Sequence, residues 1–239
     1  MKKVSPRLLT ILLLLAFIQP AFSQNKKLDK SLRKMDGYSK AGNFEKALKT
    51  LNKFKKGALK TGGNNNYLVL YHLRHAQINL ALGVVTEFET GLNNALTTSK
   101  AAFGETSTAY ATTLLDVAEI YLEYGNFRIA RQHVESAEDI LSRTNELSDA
   151  LKGRIVLAKS EAMIGQGFSN DALKLLTSME QYFLTRAVEK ETSVEDGQIK
   201  TKRIPENELY QRFNDYMRLK TLVGAAYVMK GRVSVGIDA

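Results

Sequence analysis

A chain of 239 residues with no cysteine excludes disulfide staples, thiolate metal sites and a cysteine-anchored lipoprotein. Its apolar share of 44% is ordinary for a globular chain that can bury a core, and three prolines with no tryptophan suit long helices. The net charge of +9 is local: residues 24–64 carry twelve Lys or Arg against three acids, whereas 65–239 carry nineteen against twenty-two. That distribution argues against a nucleic-acid binder, which needs basic residues spread along its binding face.

Residues 1–23 read as a removed signal peptide. Lys2, Lys3 and Arg7 precede an apolar run at 8–18 broken only by Thr10, and Ala21 and Ser23 stand at the minus-three and minus-one positions of a cleavage site. The run is too short for the roughly 20 residues of a transmembrane helix, so an uncleaved anchor is the weaker alternative. The mature chain then begins near Gln24 and is exported, to the periplasm or the cell surface.

Beyond the leader, apolar residues recur at helical spacing in pairs of segments. Helices are expected at 27–41 and 44–57, 66–82 and 85–101, 106–124 and 127–141, and 146–165 and 169–190, with a last one at 206–230. The residues after Gly231 read as the start of a partner for that last helix. A glycine closes the first helix of each pair, at Gly42, Gly83, Gly125, Gly167 and Gly231, with spacings of 41, 42, 42 and 64 residues. A tight turn between antiparallel helices needs a left-handed residue, which glycine supplies without strain. Two residues after Gly42 and Gly125 comes an aromatic, Phe44 or Phe127, expected beside the turn. Five residues after the glycine comes Ala47, Ala130 or Ala172, small enough to let the second helix approach the first. Strand signals are absent. The stretch 191–205 accounts for the long last spacing as an inserted, mobile surface loop, and 61–66 is a polar turn that also caps the next helix.

This pattern resembles the tetratricopeptide repeat. Its turn glycine, aromatic and alanine sit where the family places them, as do Ala118 and Tyr121, Tyr38 and Tyr227 on first helices. The 42-residue period is similar to the longer repeats of kinesin light chains and many bacterial proteins. The resemblance implies an all-α fold, a right-handed α-solenoid of stacked antiparallel helix pairs over residues 24–239, with about four complete repeats and an incomplete fifth from 206. Repeat two departs from the family, with Phe88 in the place of the small residue and Asn79 in that of a tyrosine. Repeat four has its aromatic one residue early, at Phe168. The last helix presents an apolar side with nothing to cover it, so either the chain continues beyond Ala239 or that side binds something.

In the family, certain first-helix positions face a concave groove. Here they fall on Asp29, Leu32 and Asp36; on Leu70, Leu73 and Gln77; on Thr112, Leu115, Glu119 and Glu123; on Arg154, Leu157 and Glu161; and on Arg218 and Thr221. Leucines among isolated charges suit a protein or peptide partner in extended or helical form. The leucines have a second reading, as packing between repeats. The set lacks the Lys and Asn with which some members of the family clamp a terminal carboxylate.

Catalysis has little support: no nucleophile elbow, phosphate-cradling glycine loop or cysteine nucleophile occurs. His72 and His75 lie one turn apart on a helix, but no third metal ligand is supplied at a recognisable spacing, and both fall on positions that pack within the repeat. No cofactor or metal is expected. The basic first repeat reads either as a solvated face or as a weak contact for anionic lipid or an acidic partner. The expected function is therefore an exported, non-enzymatic scaffold or adaptor that holds another protein. The alternative is the interaction part of a larger protein whose catalytic or signalling domain is absent from this chain.

Overall fold

The computed structural model describes residues 25–60, 66–187, 190–195 and 198–231. The leader at 1–23, most of the polar turn at 61–66, and the segment after Gly231 lie outside the described residues. The described residues include nine α-helices: α1 (Lys26–Lys40), α2 (Phe44–Leu59), α3 (Asn66–Leu82), α4 (Val85–Phe103), α5 (Thr108–Tyr124), α6 (Phe127–Arg143), α7 (Asp149–Gly165), α8 (Ser169–Arg186) and α9 (Glu206–Met229). None is long and apolar enough to cross a membrane.

The expected turns recur with one geometry. Gly42, Gly83, Gly125 and Gly167 all have φ between +70° and +86°. The residue after each glycine donates its N–H back five positions, from Asn43 to Tyr38 O, Val84 to Asn79 O, Asn126 to Tyr121 O and Phe168 to Met163 O, at 2.8–2.9 Å. This six-to-one bond is the Schellman closure, which satisfies carbonyls that the helix end would leave unpaired. An alanine at any of these positions would have to adopt a left-handed backbone that its Cβ disfavours.

Side-chain caps set the helix starts that spacing alone misplaces. The Ser107 hydroxyl accepts from Tyr110 N–H at 3.1 Å and donates to Gly104 O at 2.9 Å, so α5 opens at 108 and not 106. Ser148 caps α7 through Leu151 N–H at 3.3 Å, and Asn145 takes a left-handed φ of 56° just before it, so α7 opens at 149 and not 146. Helix α8 stops at Arg186 and not at 190.

The stretch 191–205 is not a plain loop. Strands β1 (Lys190–Glu195) and β2 (Gln198–Arg203) pair antiparallel, with Lys190 opposite Arg203 and Glu195 opposite Gln198. Thr192, Val194, Ile199 and Thr201 are β-branched and supply the strand preference. The signal is faint in the sequence because each run is only six residues long and neither carries an aromatic residue.

The chain divides into two compact units: residues through Asn126 with Asp139–Glu146, and Phe127–Glu138 with Leu147 onward. In the first, α1 packs on α2, α2 on α3, α3 on α4 and α5, and α4 on α5. Met35, Ala47, Leu51, Phe54 and Ala58 are at most 1% exposed, and the Tyr67 ring meets Phe54 edge-on at 6.0 Å. Repeat two solves its two departures locally. Phe88 is fully buried and packs on the Tyr121 and Tyr124 rings at 5.8 and 5.0 Å. The close helix approach moves to Gly91, which lies directly against Ala76 of α3. Asn79 Nδ2–H donates to His75 O at 2.8 Å, so its buried amide is satisfied.

In the second unit α7 packs on α8, and α9 on both. Leu157, Ala172, Leu176, Leu219 and Ala226 form its core. The aromatic expected beside the Gly125 turn lies instead on the next repeat: a Cβ at Gly165 would stand 2.3–2.5 Å from the Phe127 ring, and Gln166 Nε2–H donates to Phe127 O at 3.0 Å. Phe168 plugs nothing; it is 48% exposed, beneath the Arg131 guanidinium at 5.5 Å. One residue early puts it on the solvent side of the α8 start.

Candidate protein-binding site

The first helices of the first unit, α1, α3 and α5, carry a row of polar side chains. Arg74 Nε stands 3.1 Å from Asp36 Oδ1, and Arg74 Nη1–H donates to Gln77 Oε1 at 2.8 Å. One guanidinium thus ties the residues expected in the groove on two successive repeats. Arg74 itself escapes the sequence reading, because it lies one position from Leu73, between two residues assigned to the face. Burial raises the Asp36 pKa above the usual carboxylate value, against the opposing fields of Arg74 and Lys40. A carboxylate held at that cost on a first-helix row is a candidate contact group. Thr112, Glu119 and Glu123 of α5 are half-buried along the same element, and Thr112 Oγ1–H donates to Thr108 O at 2.8 Å.

The leucines divide. Leu70 is half-buried, but Leu73 is 5% exposed, Leu115 0% and Leu157 2%. These three belong to the packing between helices and offer a partner nothing. On α5 every residue from Thr113 to Ala118 is buried, so the helix is apolar on too many sides for its spacing alone to show which leucine faces outward.

In the second unit Arg218 Nη2–H donates to Glu161 Oε2 at 2.7 Å, joining α9 to α7. The same unit holds a small open cleft lined by Ala150, Gly153, Arg154, Tyr182, Phe183, Arg186, Arg212 and Asp215. Its arginines come from three helices. Arg212 is 8% exposed and donates from Nη2 to Glu208 Oε1 at 2.6 Å. Arg186 lies over the Tyr182 ring at 5.3 Å, and Asp215 accepts from Gln211 Nε2–H at 2.9 Å. Gly153 keeps the floor open, since a Cβ there would stand 3.1 Å from the Phe183 and Tyr182 rings. Of the three arginines, only Arg154 is among the residues the repeat pattern assigns to this face. Arg186 lies on a second helix, and Arg212 in the turn of α9 that precedes the matched positions. The guanidinium is planar and forked, so a cleft of this lining is matched to carboxylate.

The imidazoles face a different environment. Tyr71 meets His72 edge-on at 5.0 Å and His75 at 5.7 Å, while Lys55 lies over the Tyr71 ring at 4.9 Å. Burial, with Lys55 and His75 nearby, lowers the His72 pKa to about 4, and burial lowers that of His75 too. Both rings are therefore neutral at pH 7. His133 is half-buried, and burial lowers its pKa as well. Among the described residues no group of three or more His, Cys, Asp or Glu could hold a metal ion.

No family model and no curated protein matches the chain by sequence. By structure it is similar to a crystallised Podosopora anserina chain of nearly identical TPR-like repeats, named for kinesin light chain. The TM-score is 0.60 over 91% of this chain and 93% of that one, at 13% identity. A single-substitution variant of the same protein gives an equal score and identity over 91% and 92%. The fold is therefore that of a TPR-like α-solenoid, built from stacked helix pairs.

Proposed function

We propose that this chain is an exported, non-enzymatic scaffold whose first-helix faces hold a segment of another protein, and that the segment is acidic. The observation that carries this reading is the cleft where Arg154, Arg186 and Arg212 converge with a single lining carboxylate, Asp215. An Asp or Glu side chain entering it would meet guanidinium forks in a partly desolvated setting, where charge-assisted hydrogen bonds are strongest. The row of Asp36, Gln77, Thr112, Glu119 and Glu123 on the first unit supplies polar contacts to its own part of a partner.

Fluorescence anisotropy with labelled peptide pools of acidic, neutral and basic composition tests the reading. The acidic pool should bind, more weakly as salt rises, and Arg154→Glu with Arg186→Glu should abolish the signal while circular dichroism stays helical. Equal binding of all pools, or no effect of the double change, would remove the cleft from the function. Export rests on the leader at 1–23. Expression in a bacterial host should give an envelope-fraction chain beginning at Gln24, and a cytosolic chain beginning at Met1 would refute it.

The basic first repeat is a separate surface. Lys26, Lys30, Lys46, Lys49 and Lys53 are all exposed there. We assign it a weak contact with anionic lipid or an acidic partner, each charge contributing about 1 kcal/mol near a membrane surface. Equal sedimentation with neutral and anionic vesicles at low salt would remove the membrane contact.

A further inference from the structure

The first repeat separates its charges by side. On α1 the exposed residues Lys26, Lys30, Arg33, Gly37 and Lys40 follow one another at spacings of four and three, with Lys27 and Lys34 exposed beside them. On α2 Lys46, Lys49, Lys53 and Lys56 make a second exposed row of the same kind, which the C-cap Lys60 extends. Each row covers about 21 Å at 1.5 Å per residue. The acids of α1 stand on another side of it. Asp29 accepts from Tyr67 Oη–H at 3.2 Å, and Asp36 lies 3.1 Å from Arg74 Nε, so both face α3. Lys55, over the Tyr71 ring, marks the corresponding side of α2. The two rows therefore lie on the sides of their helices away from α3, and Glu45 is the one exposed acid among the described residues of the pair.

Such a face calls for negative charge, and its composition selects the kind. Ten of its eleven exposed cations are lysines, Arg33 being the exception. A lysine ammonium is a point charge with no fork to orient a single carboxylate. Interfaces between proteins favour arginine and aromatic anchors and are poor in lysine. Here the rows hold no aromatic residue, and Leu59 is the only exposed large apolar side chain among the described residues of the pair. The arginine cleft of the second unit, with its forks and its Tyr182 ring, is built in the contrasting way. A layer of anionic headgroups asks only for accumulated charge, each lysine near it adding about fivefold to binding. The phosphates of a nucleic acid would meet the same charges, but the sequence puts this face beside a segment directed to a membrane. The apolar run at 8–18 ends eight residues before Lys26, and a leader brings its chain to the membrane whether it is then removed or retained.

We propose that the lysine face of α1 and α2 docks on an anionic lipid surface. The proposal rests on the contact assigned to the basic first repeat above and narrows it to one partner. The row through Asp36, Arg74 and Gln77 lies round α1 from these lysines, so a protein segment held there does not compete with the lipid.

Co-sedimentation of the chain as purified from expressing cells tests this, with phosphatidylcholine vesicles that contain or lack about a third phosphatidylglycerol. The anionic vesicles should carry down more of the chain than the neutral ones, and high salt should abolish the difference. Lys46→Gln, Lys49→Gln and Lys53→Gln together should weaken the anionic binding by about a hundredfold. All three sites are exposed, so circular dichroism and thermal unfolding should not change. Lys152→Gln, Lys174→Gln and Lys230→Gln together remove the same net charge from exposed sites elsewhere and should leave the binding unaltered. Equal recovery with neutral and anionic vesicles overturns the proposal, and so does an equal loss in the two triple variants, which would make net charge the cause. A polyglutamate peptide or a DNA duplex captured through these lysines, where anionic vesicles are not, also overturns it; the peptide result would leave the acidic-partner contact of the first repeat standing. Binding to none of the three probes would remove both the lipid proposal and that contact.

Discussion

Gly91 should be the least replaceable residue of the second repeat, although nothing about its place in the sequence singles it out. Helices α3 and α4 meet there backbone to backbone. A Cβ built on Gly91 would stand 2.9 Å from Ala76 Cβ, 3.0 Å from its N and 3.1 Å from its Cα. No rotamer can relieve those contacts, because two of the three atoms are backbone inside a helix. Gly91→Ala must therefore separate the helices by several tenths of an ångström, and overpacking of this kind costs about 1–3 kcal/mol. Against this, alanine restores about 0.5–1 kcal/mol of helix propensity. The expected net loss is about 1–2 kcal/mol, which urea unfolding followed by far-ultraviolet circular dichroism resolves as a lower midpoint at unchanged slope. Adding Ala76→Gly to Gly91→Ala removes only the contact at 2.9 Å and leaves those to the backbone N and Cα of position 76, so the pair should recover only a small part of the loss. A Gly91→Ala chain as stable as the parent, or a pair in which Ala76→Gly restores the parental stability, would refute the claim that backbone contact sets this crossing.

Acid should loosen the second repeat through His72. Its folded pKa of about 4 lies below the ordinary 6.5, so the unfolded chain binds more protons between those values. The resulting stability is complete above about pH 6.5 and is lost as pH falls to about 4. The ring is only half-buried, so after discounting for solvent screening the contribution is about 1–2 kcal/mol. His72→Gln should flatten the fall of the urea midpoint between pH 7 and pH 4, and an unchanged slope would assign the acid sensitivity elsewhere. The Arg218–Glu161 bond, half-buried at 2.7 Å, should make Glu161→Gln cost about 0.5–1.5 kcal/mol. That cost should shrink in high salt, and a loss insensitive to salt would point to packing instead. Gly165→Leu should be worse than Gly91→Ala, because its side chain would occupy the place of the Phe127 ring. Failure of this variant to shift thermal unfolding would show that Phe127 leaves its seat freely.

The features legible in the sequence are those the backbone itself enforces. The turn glycines sit at φ near +80° because only a left-handed residue closes those helices, and that demand leaves a periodic mark that no side-chain substitution hides. Ala47, Ala130 and Ala172 are readable for a similar reason: each is fully buried where two helices must approach. The site is less legible because the face of a first helix is decided by neighbours remote in sequence. Leu115 and Glu119 lie one turn apart on α5, and only the stacked helices make the first core and leave the second half-exposed. The same reasoning explains why Arg186 is invisible to the repeat pattern. It belongs to a second helix, which the pattern assigns to packing, yet the cleft forms where that helix runs out and α9 begins. Repeat two shows that the pattern tolerates exchange of parts, with Phe88 filling the place of the alanine and Gly91 taking over the close approach one turn later. Periodicity therefore reports where helices must touch. What a partner can reach depends on which turns the stack leaves uncovered, and on α9 those turns carry Tyr210, Phe213 and Met217 near one end and Val228 and Met229 at the other.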